Sequence, residues 1–185
     1  MSDPKGRRIS MAAVVVSYGA MVAVAWLLSH LVYHRAPLVI AEQRLATWTS
    51  VLVGLGLALA VIVVSRVLDA RFEWSRRISA RMRQILGPLS TGEVAVIATF
   101  SALGEELLFR GFLLPLIGLV ASSVLFGALH IGPRRDFWPW TLMALGMGFA
   151  FGGVTLATGD VMAAILAHLT INYFNLLAIT GPERG

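Results

Sequence analysis

Long apolar runs separated by short charged segments set the pattern of this chain. A run of about 20 apolar residues is the length that crosses a hydrocarbon core of ~30 Å. Six such runs can be marked, at 11–33, 47–67, 91–112, 113–131, 138–157 and 161–180, the third and fourth separated by little more than Gly111 and Pro115. The pattern predicts an all-α polytopic membrane protein of about six transmembrane helices. The first run follows Lys5, Arg7 and Arg8 as the core of a signal sequence would. It continues to about Tyr33 without a small-residue cleavage site, so it reads as a retained helix.

The segment between the second and third runs has another rhythm. Phe72, Trp74, Ile78, Met82, Ile85 and Leu86 recur at near-helical spacing among arginines. Such a pattern suits an amphipathic helix on an anionic leaflet, and it equally suits a solvated linker that carries an orientation signal. In the fifth run Gly146, Gly148, Gly152 and Gly153 are read as packing positions, since small residues let helices approach closely. The whole of 1–185 reads as one transmembrane domain: two N-terminal helices within 1–67, a basic cytoplasmic loop at 68–90, and the chemistry within 91–180.

Composition agrees. The 185 residues are 57% hydrophobic, above the usual share of soluble domains. The mean hydropathy is +0.79. The formal charge is +5, and all but one of the basic residues are arginine. They lie between apolar runs rather than on one soluble face, which argues for lipid headgroups and orientation and against nucleic acid. The basic clusters at the N-terminus, at 66–83 and at Arg134–Arg135 all fall on one side if there are six spans, which predicts both termini in the cytoplasm. The chain has no cysteine, which excludes a thiol nucleophile and thiolate metal ligands.

Few ionisable residues fall inside the runs: Glu105, Glu106, Arg110, His130 and His168, with Glu93 and Asp160 at run ends where water is within reach. A carboxylate at bilayer depth costs several kcal/mol (about 3 on insertion scales), so two in succession demand partners or a wet cavity. Glu106 and Arg110 stand at i and i+4 and can pair on one helix face. Glu105, rotated by about 100° at 3.6 residues per turn, must face something else. His168 and Asn172 also share a face at i and i+4. An acid, two histidines and an amide on three runs are the ingredients of water activation and oxyanion stabilisation. His30 and His34, near the end of the first run, have no such company and read as interfacial.

Glu105-Glu106-x-x-x-Arg110, then Phe126-x-x-x-His130, then His168-x-x-x-Asn172 match in order the three motifs of a known family. The chain thus resembles the CPBP intramembrane proteases, the CAAX-prenyl-protease and bacteriocin-processing enzymes also called the Abi family. The resemblance implies hydrolysis of a peptide bond in a membrane-anchored protein or peptide. By the same carry-over Glu105 would activate water, His130 would help hold it, and His168 and Asn172 would form the oxyanion site. Glu106, Arg110 and Phe126 would support them. The compact, arginine-rich chain suggests a bacterial cytoplasmic membrane and the processing or sorting of a protein tail, rather than prenyl-protein maturation.

Two matters stay open at this level. Glu105, His130 and His168 are candidate ligands for a His₂Glu zinc site. The i+4 partner of His168 is an amide, a poor zinc ligand, which tilts the expectation toward a glutamate mechanism without obligatory metal. Depth is the second. At about 1.5 Å rise per residue, Glu105 lies ~20 Å above the start of its run, whereas His130 lies within ~10 Å of the end of its own. Readings from other classes are a small proton- or ion-coupled transporter using the same buried charges, or a non-catalytic membrane adaptor.

Overall fold

The computed structural model describes residues 10–40, 46–132 and 134–181. Its elements are α1 (Met11–Tyr33), α2 (Thr47–Arg71), α3 (Glu73–Leu86), α4 (Thr91–Glu106), a π-helical stretch (Leu107–Leu113), α5 (Leu114–Leu129), α6 (Trp138–Thr158) and α7 (Met162–Thr180). The protein is all-α and polytopic. The basic residues Lys5, Arg7 and Arg8 lie outside the described residues.

Local chemistry sets the helix starts. The Ser10 hydroxyl accepts from the Ala13 N–H at the head of α1. At α4, Ser90 and Glu93 form a reciprocal capping box. Asp160 accepts from the Met162 N–H at 2.8 Å and from the Ser50 hydroxyl at 2.9 Å, tying α7 to α2. Asp160 is buried, not open to water at a span end as the sequence suggested. Its hydrogen bonds to a helix start and a neighbouring helix are what make that burial tolerable.

Helix directions follow from the residues that meet. Glu106 reaches His168 and Asn172 reaches Ser101, so α4 and α7 are antiparallel. Gly54 packs on Ala163, and Arg66 donates to the Phe174 carbonyl, so α2 runs parallel to α7. Tyr18 lies on Gly104 and Tyr33 donates to the Phe112 carbonyl, so α1 runs alongside α4. The start of α1, the end of α2, α3, the start of α4 and the end of α7 therefore share one end of the bundle. Arg81 and Asp136, paired at 2.6 Å, join α3 to the turn before α6. The segment at 73–86 is a helix, amphipathic as its spacing suggested, with Trp74 and Ile85 exposed.

The count of six separate spans is corrected. Among the described residues five helices are long and apolar enough to cross a membrane, and 91–112 and 113–131 fall largely within a single helical run, Thr91–Leu129. That run does not break at Gly111 or Pro115. Pro115 sits in the first turn of α5, where its missing N–H is harmless. The chain reverses at Gly118, whose φ of 80° and ψ of 172° are open essentially to glycine alone. Residues 119–129 return beside the rising arm, which brings Phe126 to 5.1 Å from Phe109, ring centre to ring centre. At about 1.5 Å per residue the returning arm is only ~16 Å long, too short to span. The reversal also removes the depth mismatch. Glu105 lies thirteen residues before Gly118 and His130 twelve after it, so both stand at the same height.

The glycines of α6 divide by environment. A Cβ on Gly148 would lie 3.0 Å from the Ser123 backbone, so this glycine sets the α5–α6 spacing. Gly146 and Gly153 face open space and hold nothing together.

Candidate active site

The capping box at Ser90 sets the register of α4, which places Ser101, Gly104, Glu105 and Glu106 in its last turns. Successive positions on a helix point about 100° apart, and the two glutamates separate accordingly. Glu106 is wholly buried and Glu105 is 9% exposed.

Glu106 is the hub of a charge network. Its Oε1 accepts from Arg110 Nη1 at 3.2 Å, and Arg110 Nε lies 3.2 Å from Oε2. The same Oε1 faces His168 Nδ1 at 2.7 Å. Arg110 also donates to the Gly148 carbonyl at 3.3 Å. Its guanidinium lies 4.3 Å from the Phe126 ring centre and 5.3 Å from that of Phe151. A buried arginine held by a carboxylate, a carbonyl and aromatic faces has its charge compensated on every side. The π-helical stretch begins directly after Glu106 and carries Phe109 and Arg110 inward. It also turns Gly111 against Pro37, where a Cβ would meet the Pro37 carbonyl oxygen at 2.2 Å.

Glu105 looks elsewhere. Its Oε2 is buried without a hydrogen-bond partner among the described residues and lies 3.7 Å from His130 Nε2. That gap is too long for a direct hydrogen bond, yet one water beside the line could touch both. The histidine's tautomer follows from its other nitrogen. Nδ1 is 2.8 Å from the Phe126 carbonyl, which only accepts, so Nδ1 carries a proton and Nε2 is the nitrogen turned toward Glu105. The ring packs on Phe126, and the His130 carbonyl accepts from Thr141 at 3.0 Å. On α7, Asn172 donates from Nδ2 to the Ser101 hydroxyl at 3.1 Å, leaving the second N–H of its amide. His168 stacks on Phe151.

The structure thus brings Glu105 to His130 and Glu106 to both Arg110 and His168, with Phe126 as a shared floor. It does not pair Glu105 with His168. Among the described residues no three His, Cys, Asp or Glu side chains converge on a point that could hold an ion. Nδ1 of His168 is committed to Glu106, so Nε2 is the ring nitrogen it can offer to a ligand or substrate. Four participants were not anticipated: Ser101, the Gly148 carbonyl, Phe151 and Tyr18. Tyr18, on α1, packs its ring and backbone against Gly104, the residue beside Glu105. A polar hydroxyl in the middle of an otherwise apolar run was the available signal for Tyr18. A carbonyl acceptor such as that of Gly148 leaves no trace in sequence.

Fold and site together define a helical membrane protein with a buried carboxylate–histidine centre. Residues 88–174 match the family model for type II CAAX prenyl endopeptidase, Rce1-like. The matched segment, just under half of the chain, holds every motif residue singled out above. A protein of Bacillus subtilis (strain 168), described as uncharacterized protein YpbD, is 32% identical over 90 residues, which cover 49% of this chain and 47% of that protein. The aligned region therefore spans about half the length of the curated relative it matches. No solved structure matches the chain.

Proposed function

We propose that this chain is an intramembrane endopeptidase that hydrolyses a peptide bond in a membrane-anchored protein substrate. The observation that carries the reading is the facing pair of Glu105 Oε2 and His130 Nε2, 3.7 Å apart at one depth. A water held between them would attack the scissile carbonyl carbon as its proton passes to Glu105. The tetrahedral oxyanion would be met by the free N–H of Asn172 and by Nε2 of His168, which donates only when that ring is protonated. As the C–N bond breaks, the proton held on Glu105 would pass to the departing amine, so atoms and charge balance. Glu106 and Arg110 would position His168 rather than touch substrate. Because the candidate ligands do not converge, the proposed chemistry uses no metal.

The substrate class we infer is the tail of a bacterial membrane protein processed or sorted after insertion, in the cytoplasmic membrane. The test is comparative proteomics of membrane-protein C-termini in cells carrying the wild type or Glu105→Gln. Accumulation of one uncut class with normal levels of the variant is expected, and chelators should leave wild-type cleavage intact. Unchanged cleavage by the variant would sink the reading.

A further inference from the structure

The spacing of apolar residues in 73–86 suits either a helix on an anionic leaflet or a solvated linker, and the contacts of α3 separate the two. Asp69, near the end of α2, accepts from the Ser75 and Ser79 hydroxyls. Arg81 pairs with Asp136 at 2.6 Å, and Arg83 donates to the Gly181 carbonyl at 3.1 Å. These ties set the rotation of α3 about its own axis. At about 100° per residue, Trp74, Ile78 and Ile85 fall within ~40° of one another and roughly 100° from Ser75 and Ser79. They point sideways out of the bundle, and Trp74 and Ile85 are exposed. Glu73, Ala80 and Gln84 make a third face, also exposed.

Depth follows from α2. Leu52, Leu55, Leu59, Val63 and Val67 form an exposed apolar stripe along it, and Arg71, exposed, continues the stripe one turn further. Trp48 is exposed near the opposite end. The residues from Trp48 to Arg71 cover ~35 Å at about 1.5 Å each, slightly more than a hydrocarbon core of ~30 Å. Arg71 therefore stands at headgroup level. Phe72, extended at φ −119° and ψ 126°, then ends α2, and α3 starts at that level.

We propose that α3 lies in the membrane interface and binds anionic phospholipid, with Trp74, Ile78 and Ile85 among the acyl chains and Arg71 and Arg77 on the headgroup phosphates. Charge selects the lipid. Residues 66–83 hold six arginines against Asp69 and Glu73, so the headgroups they attract are anionic. Arg77 borders the apolar face and is paired with Glu73 at 2.6 Å, both side chains largely exposed. An exposed i, i+4 pair is worth little, and a phosphate offers the same guanidinium a comparable partner. The inference does not depend on the peptidase reading. Through Arg81 and Asp136 the same helix is fastened six residues after His130.

The chain has no cysteine, so a single one can carry a spin label. In vesicles of equal parts phosphatidylglycerol and phosphatidylcholine, a label at Ile85→Cys should meet dissolved oxygen and be shielded from a water-soluble nickel chelate. A label at Gln84→Cys should show the reverse. Equal exposure of both labels to the chelate would overturn the proposal. Native mass spectrometry of the full chain released from the same vesicles then counts the lipids retained. Wild type should keep phosphatidylglycerol over phosphatidylcholine, and Arg71→Gln with Arg77→Gln should weaken that preference by about fivefold per arginine. No preference in wild type, or one untouched by the double variant, would overturn the proposal. Displacement of phosphatidylglycerol by inorganic phosphate alone would also overturn it, since the arginines would then be a site for a soluble anion. The labelled chains keep every arginine, so that arm holds even if the double variant fails to fold.

Discussion

At the residue scale, the two adjacent glutamates do different work because a helix turns them apart. Glu106, fully buried, makes three polar contacts with two partners, Arg110 and His168, so its loss should weigh heavily on stability. Glu106→Gln leaves the Arg110 guanidinium buried without a counter-charge. Breaking one side of a buried ion pair costs about 3–5 kcal/mol, so the variant should unfold in detergent at a clearly lower temperature than wild type. Glu105→Gln, which has no such structural pairing, should unfold close to wild type. Equal unfolding temperatures for the Glu106 variant and wild type would show that the network does not hold the bundle. The division of labour between these glutamates could be reasoned from i, i+4 spacing alone. That His168 is claimed by Glu106 could not be, since it depends on how α4 and α7 are set against each other.

At the element scale, the decisive feature is the reversal at Gly118. No Cβ contact obstructs this position, so any penalty for a larger residue comes from its backbone geometry. A non-glycine residue held at such dihedrals costs about 1–3 kcal/mol. Gly118→Ala should therefore loosen the hairpin and let Phe126 and His130 slip from the level of Glu105. Limited proteolysis should find new cleavage near 118 in that variant, and activity should fall, while Gly146→Ala on α6, where a Cβ meets open space, stays near normal. Intact protection in Gly118→Ala would show that the turn tolerates a side chain. Apolar periodicity marked the helices reliably, because each has to meet lipid or a neighbour along most of its length. It could not place this turn. Gly111, Pro115 and Gly118 are all breaker residues within one run, and only packing decides which of them bends: Gly111 is used for close approach to Pro37, Pro115 for a helix start, and Gly118 for the reversal.

At the scale of the whole molecule, the returning arm keeps the parity that six crossings would have had, although among the described residues five helices are long and apolar enough to cross. The start of α1, the α3 helix and the end of α7 lie together, and α3 carries Arg76, Arg77, Arg81 and Arg83. The positive-inside bias then predicts that reporter fusions placed before Ser10, after Pro88 and after Thr180 all report the cytoplasm. A fusion after Arg35 should report the opposite side. Any split among the first three would overturn this topology. What the sequence by itself determined was the class of protein, the helices, and the short set of residues able to do chemistry. Those follow from hydrophobicity and from the cost of burying charge, which act locally along the chain. Only the tertiary structure decided which of those residues meet, that the hairpin at Gly118 levels Glu105 with His130, and that Tyr18 of α1 packs on Gly104 beside them. Such pairings depend on helix rotation and depth, where a shift of a few residues moves a side chain by several ångströms, and no local pattern records them.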